Sequence, residues 1–300
     1  MMNVMWVRSL LRVSVVVLAA SVLAQAQVQE PVEVDEEALE AGEPLEYAFR
    51  GVDDFFNIRE ANPDVTLQEW EFQVEGGWLT RSGGPDDDVY VEPTVLYGIT
   101  EDLFVSLGLL PIYIGDGGDI GNGDLNLAVF YRVLDETDDL PAVAGWAEMR
   151  IPSGEGSSGV DGTFYANLTK TITRRIRAHF GGFVMTANGQ RGDGVGGRID
   201  NGSMSGWWFG DWDNGADRRD FQWGAGPGFD YLIDEETVAV LNYLHRSSEY
   251  DGNSNMNILE AGVIREIGER QAIKAAVDVG LDGAGETPNL AGKIQYAISW

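Results

Sequence analysis

The chain contains no cysteine and only two histidines, His179 and His245, in 300 residues. A disulfide framework and a cysteine-ligated metal centre are therefore excluded, and so is a metal site built from several histidines. Cations are scarce too: 20 Lys and Arg stand against 49 Asp and Glu, for a formal net charge of −29. Nucleic acid is excluded as a partner, because binding its phosphates needs clustered Lys and Arg. Beyond the N-terminus no apolar run approaches the ~20 residues a membrane helix needs.

What the chain does have is glycine (39 residues) and aromatics (10%), within an ordinary hydrophobic content of 44%. That mixture suits many strands and turns rather than a helical bundle. The N-terminus, MMNVMWVRSLLRVSVVVLAASVLAQAQ, sets Arg8 and Arg12 before an apolar run from Val13 to Leu23 and then Ala24-Gln25-Ala26. This is the pattern of a secretory signal peptide over 1–26, and it predicts export. Residues 27–67 follow as an acidic extension with scattered Pro and Gly. It reads as a periplasmic linker or a plug, and its residues do not choose between the two.

From Trp70 onward the apolar residues recur with period two. In WEFQVEGGW, Trp70, Phe72 and Val74 oppose Glu71, Gln73 and Glu75; in IKAAVDVGL, Ile273, Ala275 and Val277 oppose Lys274, Ala276 and Asp278. Strict alternation marks strands with two unlike faces. Twelve such segments are expected, at 68–81, 86–99, 102–114, 122–135, 140–151, 160–173, 175–188, 218–232, 236–249, 255–267, 270–282 and 289–300. Those at 102–114 and 236–249 alternate poorly. The connections alternate in kind: short turns such as GITED, TRR and GERQ, then longer Gly/Asp/Asn-rich loops such as GDGGDIGNG and DGAGETPN. Short turns on one side and long loops on the other are the pattern of a transmembrane β-barrel.

A soluble sandwich would alternate in the same way. Three features favour the barrel. The segments run to 10–14 residues, enough for a tilted strand to cross a bilayer. Aromatics on the apolar parity (Trp70, Tyr97, Tyr113, Tyr131, Phe221, Tyr231, Trp300) sit near strand ends, as interfacial girdles do. The opposite parity mixes signs: Glu71, Glu75, Glu92, Arg132, Glu148, Arg150, Arg177, His179, Asp230, Glu260, Lys274, Asp278 and Lys293. These are the candidate lining of a lumen. The fold expected is all-β, a 12-stranded antiparallel up-and-down transmembrane barrel over 68–300.

At 123–156 the stretch GDLNLAVFYRVLDETDDLPAVAGWAEMRIPSGEG runs strand, short acidic turn, strand and Pro-Ser-Gly. It resembles the outer-membrane family named for the MetA pathway of phenol degradation, and the terminal aromatic strand fits as well. The resemblance spans about 68–300. It implies an outer-membrane channel for small solutes, aromatic or apolar ones among them, and no enzymatic activity. The final strand, with Ile294, Tyr296, Ile298 and Trp300 on one parity, resembles the signal read by the barrel-assembly machinery. Outer-membrane lipid, that machinery and a small-molecule solute are thus the partners expected. No cofactor and no metal are.

Other features carry chemistry with weaker claims. His245 and Ser247 are two apart, so they share a strand face, and Asn255 or Asn257 could orient the imidazole. A similar arrangement serves the 12-stranded outer-membrane phospholipase, but there Ser-Asn-Gly follows, where this chain has Ser247-Ser248-Glu249. A polar strand end is the plainer reading. Between 189 and 217, Asp211, Asp213, Asn214 and Asp217 could collect calcium, yet the glycine a calcium loop needs at its sixth position is misplaced. In the same stretch Trp207, Trp208 and Trp212 are candidates to fold into a barrel mouth or bind an apolar solute. A non-conducting structural or adhesive barrel is the alternative to a channel; a lipid hydrolase using Ser247 and His245 is another.

Overall fold

A computed structural model describes Ile58 and residues 60–80, 88–109, 111–114, 120–154, 157–186, 219–234, 236–248, 251–268, 270–282 and 290–300. The signal segment, most of the extension and the 189–217 stretch lie outside these residues. So, with the latter, do Trp207, Trp208, Trp212 and the candidate calcium ligands. No helix occurs among the described residues.

Fourteen strands form one sheet: β1 (Trp70–Thr80), β2 (Asp88–Gly98), β3 (Leu103–Gly108), β4 (Ile112–Ile114), β5 (Ile120–Asn122), β6 (Leu125–Leu134), β7 (Ala142–Ile151), β8 (Asp161–Thr173), β9 (Ile176–Thr186), β10 (Phe221–Asp234), β11 (Thr237–Arg246), β12 (Met256–Gly268), β13 (Gln271–Asp282) and β14 (Leu290–Ser299). β3 and β4 are two pieces of one crossing, as are β5 and β6, so the barrel has the twelve strands expected. Every pairing is antiparallel. β1 pairs with both β2 and β14, which closes the sheet.

The break in the third crossing has a plain cause. Pro93 on β2 and Pro111 beside β4 carry no N–H, so the ladder cannot run unbroken past them. β2 therefore pairs with β3 through Thr94–Gly98 and with β4 through Val89–Val91. Pro227 interrupts the β10–β11 ladder between Ala225 and Gly228 in the same way. The other weakly alternating segment, 236–249, forms β11 at 237–246.

Burial follows parity. Along β10 it alternates without a fault from Phe221 to Tyr231, and along β7 from Ala142 to Arg150. The exposed positions are apolar: Leu127, Phe164, Phe180, Phe229 and Leu241 lie on the outside. Trp70, Tyr131, Tyr231 and Trp300 are exposed at the short-turn end, and Phe221 and Trp223 at the long-loop end. Tyr97 packs against Trp70 with ring centroids 4.5 Å apart. The side chain of Tyr113 is outside the described set. A belt of apolar residues between two aromatic girdles is a surface shaped for lipid.

The last strand is tied down as its pattern demands. Trp300 N donates to Trp70 O at 2.9 Å, and Trp70 N donates to Trp300 O at 3.1 Å. Ile294, Tyr296 and Ile298 are half-buried on the outer parity, and Trp300 is exposed.

Candidate functional site: the lumen and its inner strap

The inward parity carries the candidate lining. Glu71, Glu75, Glu92, Glu148, Arg150, Arg177, His179, Asp230, Glu260, Lys274, Asp278 and Lys293 are all buried. Arg132 differs. It sits half-exposed at the short-turn rim, held by Asp102 at 2.5 Å and Asp135 at 2.8 Å.

The buried charges gather into three groups. On β11 to β14, Lys293 Nζ lies 3.2 Å from Glu260 and 3.0 Å from Asp278, and Asn242 donates to Glu260 at 2.9 Å. Glu71, nearby on β1, accepts from Ser299 at 2.7 Å and Gln73 at 2.5 Å. Removing ions from water costs several kcal/mol each unless partners replace the hydration, and this sector supplies them in a chain.

At the long-loop end Arg150 binds Asp161 at 2.7 Å and also Asp124, which lies between β5 and β6. Asp124 also accepts from Gly154 N at 2.8 Å, the Ser157 hydroxyl at 2.7 Å and Ser153 N at 2.9 Å. The Pro-Ser-Gly of 152–154 thus folds its backbone onto a carboxylate.

The third group joins the barrel to the extension. Ile58 and residues 60–67 lie inside, toward the short-turn end. Glu60 binds Arg177 of β9, which also holds Asp230 of β10 at 2.8 Å. His179 Nε2 is 2.8 Å from Asp230 and 4.0 Å from Glu60. Ala61 N donates to Thr169 Oγ1 at 2.8 Å, and Thr169 in turn meets His179 Nδ1 at 3.0 Å. Glu60, His179 and Asp230 are spaced so that they could hold a metal ion, but the Arg177 guanidinium already bridges the two carboxylates.

Apolar contact seats the same segment. Ile58, Ala61 and Val65 share a buried cluster with Leu96, Phe104, Phe130 and Trp146. The wall makes room with glycine: a Cβ at Gly98 would come within 1.6 Å of Thr66 O. At the exit Gln68 adopts φ 63°, and the chain reverses into β1.

An aromatic row inside the barrel escaped the parity reading. Phe104 stacks on Phe130 at 4.8 Å, and Trp146 meets Phe104 edge-on at 5.3 Å. The signal was present: in AVAGWAEMR, Trp146 shares parity with Glu148 and Arg150. Glu60 was missed for another reason. It lies in an acidic stretch with no periodicity to place it.

The lipid-hydrolase candidates do not assemble. Asn257 Oδ1 lies 2.7 Å from His245 Nδ1, and Asn255 Nδ2 lies 3.3 Å from Nε2. His245 packs on Trp223, ring centroids 5.5 Å apart. Ser247 Oγ accepts from Trp223 N at 3.1 Å. The serine is therefore engaged with the β10 backbone rather than with the imidazole.

No family model matches the chain, and no curated protein does. Solved structures do. An outer membrane channel from Pseudomonas putida F1 superposes with a TM-score of 0.54 at 13% identity, over 79% of this chain and 97% of the other. The fold is that of an outer-membrane β-barrel. The NanC porin gives 0.49 at 14% identity, covering 76% of this chain and 98% of that one. The toluene transporter TbuX of Ralstonia pickettii gives 0.40 at 9%, covering 78% and 89%. At such identities the likeness concerns the fold.

Proposed function

We propose that this chain is a bacterial outer-membrane channel for small solutes, exported by its N-terminal segment, with Ile58 and residues 60–67 acting as an inner strap that closes the lumen. The observation that carries the reading is the pair of unlike faces on a closed sheet. An apolar, aromatic-girdled outside fits lipid, and a charged, hydrogen-bonded inside fits a wet path through it. By this reading the short turns and both barrel termini face the periplasm, the long loops face outward, and the strap enters from the periplasmic side. The resemblance of 123–156 to the phenol-degradation family favours solutes with an apolar body.

A second reading has an observation of its own. Glu71, Glu260, Asp278 and Lys293 are fully buried by their neighbours, and a lumen packed this well would also suit a structural barrel that conducts nothing. Reconstitution separates the two. Mature protein in planar bilayers should give single-channel steps, and proteoliposomes should take up small solutes. Silence in both assays, for wild type and for a strap-released variant, would leave the structural barrel standing. Solubility without detergent, with no heat-modifiable gel mobility, would remove the membrane reading altogether.

A further inference from the structure

The strap is held in the barrel by three kinds of contact at once. A carboxylate, that of Glu60, lies against the Arg177 guanidinium and 4.0 Å from His179 Nε2. A backbone N–H, that of Ala61, donates to Thr169 Oγ1 at 2.8 Å. Apolar groups, those of Ile58, Ala61 and Val65, complete a buried cluster with the wall. The wall groups belong to β8, β9 and β10, whose ladders do not involve the strap. They keep their places when it leaves.

These groups lie in successive inner rows. Arg177 and Asp230 are cross-strand partners nearest the short turns. Next come Ala142, Thr169, His179 and Gly228, and then Ala144, Asn167 and Gly181. The row after that is aromatic, with Trp146, Tyr165 and Phe183. From the short-turn end the wall thus runs from charge, through short side chains, to rings. Asn167 stands among the short ones. It is 0% exposed, yet neither of its amide atoms has a hydrogen-bond partner among the described residues. A buried amide left so is costly and asks for an explanation in a native structure.

We propose that the strap occupies a solute seat, and that the solutes it takes are small amphipathic carboxylates. The solute carboxylate replaces that of Glu60 on Arg177. An N–H of the solute replaces Ala61 N on Thr169, and its carbonyl accepts from Asn167. Its apolar body takes the place of Ile58 and Val65 below the aromatic row. The room is the strap's own volume. The exchange is one carboxylate for another, so Arg177 and Asp230 end with the charge balance they began with, and no buried ion loses its compensation. A neutral solute of the same shape leaves Arg177 one carboxylate short. Binding and release are linked, because a solute that needs the released state binds more weakly in proportion to the fraction released. The seat deepens the channel reading, on which its role in passage rests.

Hippurate carries all three features, a carboxylate, an amide and a phenyl ring; hippuramide is its neutral counterpart. The test uses detergent-solubilised full-length mature protein carrying Ala61→Cys, whose thiol is buried while the strap is seated. Hippurate should accelerate maleimide labelling saturably at neutral pH, and hippuramide should need at least tenfold more to match it. In equilibrium dialysis Glu60→Gln should tighten hippurate binding by the same factor by which it speeds labelling in the absence of solute. Arg177→Gln should erase the preference for hippurate over hippuramide. Asn167→Leu should weaken hippurate severalfold while leaving the solute-free labelling rate unchanged, and with Glu60→Gln it decides the matter if Arg177→Gln does not fold. Equal effects of the two compounds, no saturable effect of hippurate, or unchanged hippurate affinity in folded Glu60→Gln or Asn167→Leu would overturn the seat. Neither assay needs conduction. Silent bilayers beside hippurate-driven labelling would remove the channel and keep the seat, and conducting bilayers without any hippurate effect would do the reverse.

Discussion

Glu60 is the point at which the strap is most exposed to a single substitution. Its carboxylate is buried against Arg177, with His179 and Asp230 completing the group. Glu60→Gln keeps the shape and removes the charge. Arg177 retains Asp230 at 2.8 Å, so no buried cation is left wholly uncompensated and the full ~3–5 kcal/mol of a broken buried pair is not expected. What is lost is the charged part of one hydrogen bond, about 1.5–3 kcal/mol. At 1.4 kcal/mol per tenfold, the seated-to-released ratio of the strap should fall roughly tenfold to a hundredfold. The barrel wall makes its own ladder and should remain folded.

A labelling assay reads this directly. The chain has no cysteine, so Ala61→Cys supplies a single thiol at a fully buried strap position. Its reaction with a maleimide should accelerate in the Glu60→Gln background by about the same factor, and the open fraction in bilayers should rise with it. An unchanged labelling rate together with unchanged conductance would refute the strap as a device held by Glu60.

Further outcomes follow from the same geometry. Deleting residues 291–300 removes the partner of β1 and should abolish membrane assembly, because lipid tolerates no open sheet edge; normal insertion of the truncation would contradict this. Asn126→Leu replaces a buried amide that has no hydrogen-bond partner among the described residues with a similar apolar shape, and should raise the unfolding free energy by up to about 1–3 kcal/mol, read as a higher urea midpoint; a large loss of stability would show that the amide has a partner in the folded protein. Asp124→Asn removes the charge that accepts from Arg150, Ser157, Ser153 and Gly154 and should destabilise the barrel by about 1.5–3 kcal/mol; an unchanged urea midpoint would contradict the assignment.

The legible part of this protein was the part with a period. Alternation located all twelve crossings, and where it faltered, at 102–114, the strand proved to be broken between β3 and β4. Charges on the inner parity were legible for the same reason: Glu148 and Arg150 alternate with apolar residues, and a strand can turn them only one way. Which charge meets which was not legible. Lys293 reaches Glu260 from a non-adjacent strand, and Arg177 reaches back 117 residues to Glu60.

The sequence by itself thus determined the class of fold, the strand count and the two faces, since a two-residue repeat permits only two directions for a side chain. Only the tertiary structure decided what fills the inside. Closing the sheet superimposes rows from strands far apart in the chain, and it was this stacking that set an aromatic shelf beneath Glu148 and drew an aperiodic acidic segment into the lumen.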